Sequence, residues 1–148
     1  MGKRLFIQEA AKLAPKKSDG TYRVVLITEG EGSTGRYSAD LINRSAHVFE
    51  NAPSFLNHPI DPAKPHLRPV ESIAGRFKNV EAEDGPHGRQ LAADYKPRSG
   101  EVGEFVEEFS DLVGLSIFCG ADGEVLEDGR LDVQELDAED PYRSVDIV

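Results

Sequence analysis

The chain holds one cysteine, Cys119, among 148 residues. A lone thiol excludes an internal disulfide and supplies at most one ligand to a metal site, and so little cysteine suits a reducing cytoplasm. No apolar run approaches the roughly 20 residues that cross a bilayer as a helix, so a membrane is not an expected partner. The N-terminal Met1-Gly2-Lys3-Arg4 is basic, but Gln8, Glu9 and Lys12 interrupt the residues after it, so no signal-peptide apolar region forms. Clustered cations are missing as well. Residues 1–74 carry ten Lys/Arg against eight Asp/Glu and residues 75–148 carry seven against nineteen, for a net charge of −10. Phosphate binding needs clustered cations and the acidic half repels a polyanion, so nucleic acid is excluded as a partner. The histidines His47, His58, His66 and His87 form no i, i+4 pair and no H-E-x-x-H, which argues against a metal-dependent hydrolase. No metal and no cofactor are expected. Internal repeats, low-complexity tracts and linkers are absent, so residues 1–148 read as a single domain.

A hydrophobic fraction of 39% and a charged fraction of 30% are those of an ordinary soluble globular chain. At this length folding buries about two-thirds of the surface the unfolded chain exposes, enough for one core. Tyr22 to Thr28 is apolar and β-branched between turn residues, which predicts a buried strand. Ser38 predicts a helix cap, with Leu41, Ile42, Ser45, Ala46 and Phe49 on one stripe until Pro53 stops the helix. A short extended run from Ser54 to His58 comes next. Ser72 to Glu81 and Arg89 to Lys96 read as a hairpin across Asp84-Gly85-Pro86-His87-Gly88. Val102, Phe105, Val106, Phe109 and Leu112 recur at helical spacing, and Gly114 ends that helix. Three more strands are expected over Leu115 to Cys119, Arg130 to Leu136 and Arg143 to Val148, separated by turns at Asp122-Gly123 and Asp128-Gly129 and by Pro141. The acidic stretch from Asp122 to Asp140 reads as a solvated face. The total, seven or eight strands and two helices, predicts a strand-rich α+β fold, a barrel flanked by helices.

Two places on this map carry chemistry. In Gly114-Leu115-Ser116-Ile117-Phe118 a hydroxyl interrupts an apolar strand, and alternation sets Ser116 and Phe118 opposite Leu115, Ile117 and Cys119. The plain reading is a serine bonded locally, and Cys119 on the other face reads as a small buried hydrophobe. In Phe55-Leu56-Asn57-His58-Pro59, Pro59 biases His58 towards an extended backbone beside two large apolar residues. An imidazole titrating near neutrality suits proton transfer, while a hydrogen-bonded packing role is the plainer alternative. His66 and His87 sit in loop-like surroundings and read as surface residues, with His66 in reserve for substrate contact.

Taken in order, five segments resemble the herpesvirus-protease-like prohead (capsid maturation) proteases of tailed phages. They are Leu26-Ile27-Thr28-Glu29-Gly30 leading to Gly35-Arg36-Tyr37, then Phe55-Leu56-Asn57-His58-Pro59, then Val70-Glu71-Ser72-Ile73-Ala74-Gly75, then Gly114-Leu115-Ser116-Ile117, and last Ser144-Val145-Asp146-Ile147-Val148. Each alone recurs by chance; the order is what gives them weight. The resemblance runs from about Leu26 to Val148. It implies a β-barrel of about seven strands flanked by helices, and a serine endopeptidase that cleaves scaffold and capsid precursors during prohead assembly, in the host cytoplasm inside the procapsid. The implied partners are the scaffold protein, the major capsid protein and the protease itself. An assembly module with the same fold and no activity is the alternative.

By the same resemblance Ser116 matches the nucleophile and His58 the general base. The herpesvirus enzymes carry a second histidine as third member, whereas the phage relatives imply an acid, for which Asp146 stands in the matching strand. A carboxylate in a strand that otherwise reads as core needs a partner. Pairing with Arg76 or Arg143, exposure near a chain end, and orientation of His58 all remain open, with His66, Glu71 and Asp94 as substitutes for the last role. In the viral relatives the oxyanion donors lie in a loop beyond this strand, and the sequence stops at Val148. A truncated form, a shorter gene or a different donor loop each account for that, and truncation is the expectation. Relatives associate through a helix, so the stripe on Val102, Phe105 and Phe109 fits a homodimer contact or, as the preferred reading, the core.

Overall fold

The sequence patterns resolve into eleven strands and three helices in a computed structural model that describes residues 3–6, 11–12, 18–32 and 34–148, the first two segments by their backbone pairing only. In chain order these are β1 (Lys3–Phe6), β2 (Ala11–Lys12), β3 (Tyr22–Thr28), β4 (Gly30–Glu31), β5 (Gly35–Tyr37), α1 (Ala39–Asn43), α2 (Ala46–Phe49), β6 (Pro53–Phe55), β7 (Ile73–Gly85), β8 (Gly88–Pro97), α3 (Glu101–Phe109), β9 (Gly114–Val125), β10 (Leu131–Leu136) and β11 (Ser144–Ile147). The fold is strand-rich α+β, as the composition of its elements implies.

Two sheets carry it. The first is ordered β1-β9-β10-β5-β4, with β11 and β2 also paired to β9; the second is the antiparallel order β3-β8-β7-β6. Strand β9 is the spine of the first sheet. Its start pairs with β11, its middle with β1 and its far end with β10. From Leu115 to Ala121 every residue of β9 is buried, so both faces of this stretch are covered. One face, with Leu115, Ile117, Cys119 and Ala121, joins the core of Leu26, Leu41, Phe49, Phe77 and Tyr95. The other face carries Ser116 and Phe118 and is covered by the segment after β6.

That segment joins the sheets. Leu56 bridges Ile147 in parallel, and the Asn57 N–H donates to the Ile147 carbonyl at 2.7 Å, so the chain leaving the second sheet pairs briefly with β11 of the first. Ile147 is buried, and this pairing gives its carbonyl a donor.

Several elements depart from expectation for identifiable reasons. Ser38 caps α1 by accepting from the Leu41 N–H, as expected, but the helix breaks before Ala46. There the Ser45 hydroxyl donates to the Leu41 carbonyl four residues back, a bond that competes with the helical ladder. Asp122-Gly123 is not a turn. The strand runs on to Val125, the register shifting at Gln134 of β10 between Val133 and Glu135, and a Cβ on Gly123 would collide with the Asp132 carbonyl oxygen, so glycine serves close backbone approach. The reversal comes at Leu126 to Arg130, with Gly129 at φ +86°. Helix α3 buries Val102 and Val106 only. Phe105 and Phe109 keep 36% and 39% of their surface exposed and Leu112 keeps 75%, so of the stripe the core takes Val102 and leaves the two phenylalanines partly exposed. Asp140 departs from the solvated acidic face: it is buried and accepts from the Gly120 and Tyr142 N–H groups. Among the described residues no helix is long and apolar enough to cross a membrane.

Candidate active site

Register builds the site. In the antiparallel pair β9–β11, Asp146 lies directly opposite Ser116 and Ser144 opposite Phe118, so these four side chains share one face. Strand β6 supplies what covers them. Asn57 takes φ +67°, a left-handed conformation that asparagine tolerates better than most residues, and the turn sets His58 over the pair. Pro59 then holds His58 out of the helical region, as the sequence implies.

The imidazole spans the gap between the two strands. Its Nε2 lies 2.9 Å from Ser116 Oγ and its Nδ1 2.7 Å from Asp146 Oδ2. Ser116 is 1% exposed and Asp146 fully buried, with 8% of the His58 side chain reaching solvent. The ring tilts against Phe118, centroid to centroid 5.9 Å. An ionised carboxylate only accepts, so Nδ1 donates to Asp146, which leaves Nε2 to accept from the Ser116 hydroxyl. That tautomer readies the hydroxyl to lose its proton.

Comparison with protein-family models, curated proteins and solved structures returned no match. The chemistry of the site therefore stands on its geometry.

The partner of Asp146 is Arg68, a residue that the sequence patterns do not single out. Arg68 Nη1 lies 3.2 Å from each carboxylate oxygen and donates to Ser144 Oγ, while Nη2 donates to the Tyr142 carbonyl. The guanidinium stacks 3.9 Å above the centre of the Phe55 ring, and Phe118 flanks it. Burial lowers the Arg68 pKa from its ordinary value, and the Asp146 charge opposes that shift. The Phe55 N–H completes the set by donating to Asp146 Oδ1 at 3.1 Å. Asp146 is thus gripped by a backbone amide, a guanidinium and an imidazole, which is how a buried carboxylate becomes tolerable. One signal could have found Arg68: a carboxylate in a core strand demands a cation, and Arg68 stands between Pro65 and Pro69 in the segment that follows His58.

The other candidates lie elsewhere. Arg76 is exposed, and Arg143 donates to the Val48 and Asp140 carbonyls, so neither is the Asp146 partner. His66 is exposed against Tyr142, Glu71 is exposed, and Asp94 meets Arg23 and Asn79. None of these three is the group at His58 Nδ1. His47 and His87 are exposed, and among the described residues no cluster of His, Cys, Asp and Glu has the makings of a metal site. Cys119 is buried on the core face, and burial pushes its thiol up to about 12.

Proposed function

We propose that the chain is a serine endopeptidase of tailed-phage capsid maturation, built on a herpesvirus-protease-like barrel and cleaving scaffold and capsid precursors. The observation that carries the hydrolase part is one imidazole bonded on one side to Ser116 and on the other to a buried carboxylate. The capsid part rests on the five ordered segments of the sequence.

In this reading Ser116 Oγ attacks the scissile carbonyl carbon while its proton passes to His58 Nε2. The tetrahedral intermediate collapses by breaking the C–N bond, and the proton on Nε2 goes to the leaving amine. Water, deprotonated by the same nitrogen, then adds to the acyl carbon, and the ester bond to Ser116 Oγ breaks as Nε2 returns the proton to that oxygen. Asp146 stabilises the imidazolium formed in each half and fixes the ring, and Arg68 holds Asp146 in place. A small exposed fraction of His58 beside a cavity gives substrate access to an otherwise enclosed triad.

The test is covalent labelling of the purified chain by a fluorophosphonate, with precursor proteins incubated alongside. Labelling at Ser116 that vanishes in Ser116→Ala, together with loss of precursor cleavage, is the expected result. An unlabelled native protein would sink the catalytic assignment and favour the silent assembly module, and labelling without precursor cleavage would leave a serine hydrolase of another substrate.

A further inference from the structure

Among the described residues eleven large hydrophobics keep a third or more of their surface exposed. All but Phe109, Leu112 and Val125 line one of three cavities, of which one has His58 in its wall and the other two share wall residues with it. Isolated exposed hydrophobics need no explanation, whereas a set gathered about one site marks a surface that expects a partner. The middle cavity, about 530 Å³, has His58 in its wall with Leu56, Ile60 and Leu67. A second, about 420 Å³, shares Leu56 and Asn57 with it and adds Phe105 and Val148. The third, about 220 Å³, meets the middle one at Arg68 and adds Phe55 and Tyr142. Both larger cavities fall in the range of roughly 300–1,000 Å³ that small-ligand sites occupy.

Resting on the serine hydrolase reading, we propose that the site takes an extended polypeptide segment and selects large apolar side chains on both sides of the bond next to Ser116. Three separate apolar hollows suit that occupant. An extended chain sends alternate side chains to the same side, roughly 6–7 Å apart, so one segment offers a side chain to each hollow in turn. A fatty acyl chain needs one unbroken slot, and here Arg68 and Leu56 stand between the hollows. The walls also carry polar groups, Asp61, Lys64 and Ser72 in the middle cavity and Glu101 in the second, which suit a peptide backbone and not a hydrocarbon.

Binding and chemistry are separated by using the full chain carrying Ser116→Ala. Its affinity is measured by fluorescence anisotropy for an extended peptide of about ten residues with leucine at alternate positions, and for the same peptide with serine in their place. Burying even one leucine side chain corresponds to about tenfold or more, so the leucine peptide binds at least that much tighter. Leu67→Asp in the same background removes the preference, and Val125→Ser, on a residue outside the cavities, leaves it intact. Equal affinity for the two peptides, or an undiminished preference in Leu67→Asp, overturns the proposal. So does competition by a medium-chain acyl ester where the peptide fails to compete. Fluorophosphonate labelling of the native chain is read in parallel: its absence, with the leucine preference retained, overturns the hydrolase reading and leaves apolar peptide recognition standing.

Discussion

Asp146 and Arg68 form a buried ion pair at 3.2 Å. The carboxylate is fully buried and the guanidinium side chain 8% exposed, so each removes the cost of burying the other. Asp146→Asn keeps the shape and removes the charge, leaving Arg68 buried without its counter-ion and Nδ1 of His58 facing an amide. We expect turnover to fall by about 10³–10⁴, the scale of a triad acid changed to its amide, and stability to fall by on the order of 3 kcal/mol, the scale of a broken buried pair. Urea denaturation reads the second number independently of the first. Native turnover in Asp146→Asn would remove the residue from the mechanism. Cys119 gives the opposite expectation. With its thiol at about 12, the thiolate fraction at pH 8 is about one in ten thousand, so iodoacetamide should leave the folded protein unmodified and alkylate it once urea has unfolded it. Alkylation of the native chain would show Cys119 to be accessible.

The turn between β6 and His58 decides whether the triad assembles. Asn57 at φ +67° is the hinge, and a β-branched residue there is strained by about 1–3 kcal/mol. Asn57→Val should therefore lower the melting temperature and slow labelling of Ser116 by at least about tenfold, an energy of that size, whereas Asn57→Gly should retain labelling. An unaltered labelling rate in Asn57→Val would mean that His58 is placed by other contacts. The same scale shows what periodicity conveys and where it stops. The stripe of α3 is correct in phase, since Val102 and Val106 are buried, but the stripe extends to Phe109, which is left partly exposed, and to Leu112, which is left largely uncovered. Period marks an apolar face and cannot say what covers it. The break between α1 and α2 was likewise invisible in the spacing, because it comes from one serine hydroxyl choosing a carbonyl over solvent.

Across the whole molecule the two sheets meet where the site is. Leu56 bridges Ile147, and Asn57 N–H to the Ile147 carbonyl is the bond that ties β6 to β11. If the sheets separate only on global unfolding, the Asn57 amide should exchange with solvent as slowly as amides of the core strand β8, read by hydrogen exchange with mass spectrometry. Exchange at the rate of a surface loop would mean that the site opens on its own. The sequence by itself determined the class of the fold, most strands, the Ser38 cap and the turn at Asp128-Gly129, because those signals lie within a few neighbouring residues. It also marked Ser116, His58 and Asp146, through segments whose order resembles a known family. Only the tertiary structure decided that these three meet and that Arg68, not Arg76 or Arg143, answers the carboxylate. The contacts join positions 58, 88 and 78 residues apart. Such pairs are set by strand register and by one turn after β6, and local pattern carries no record of which distant face will lie opposite.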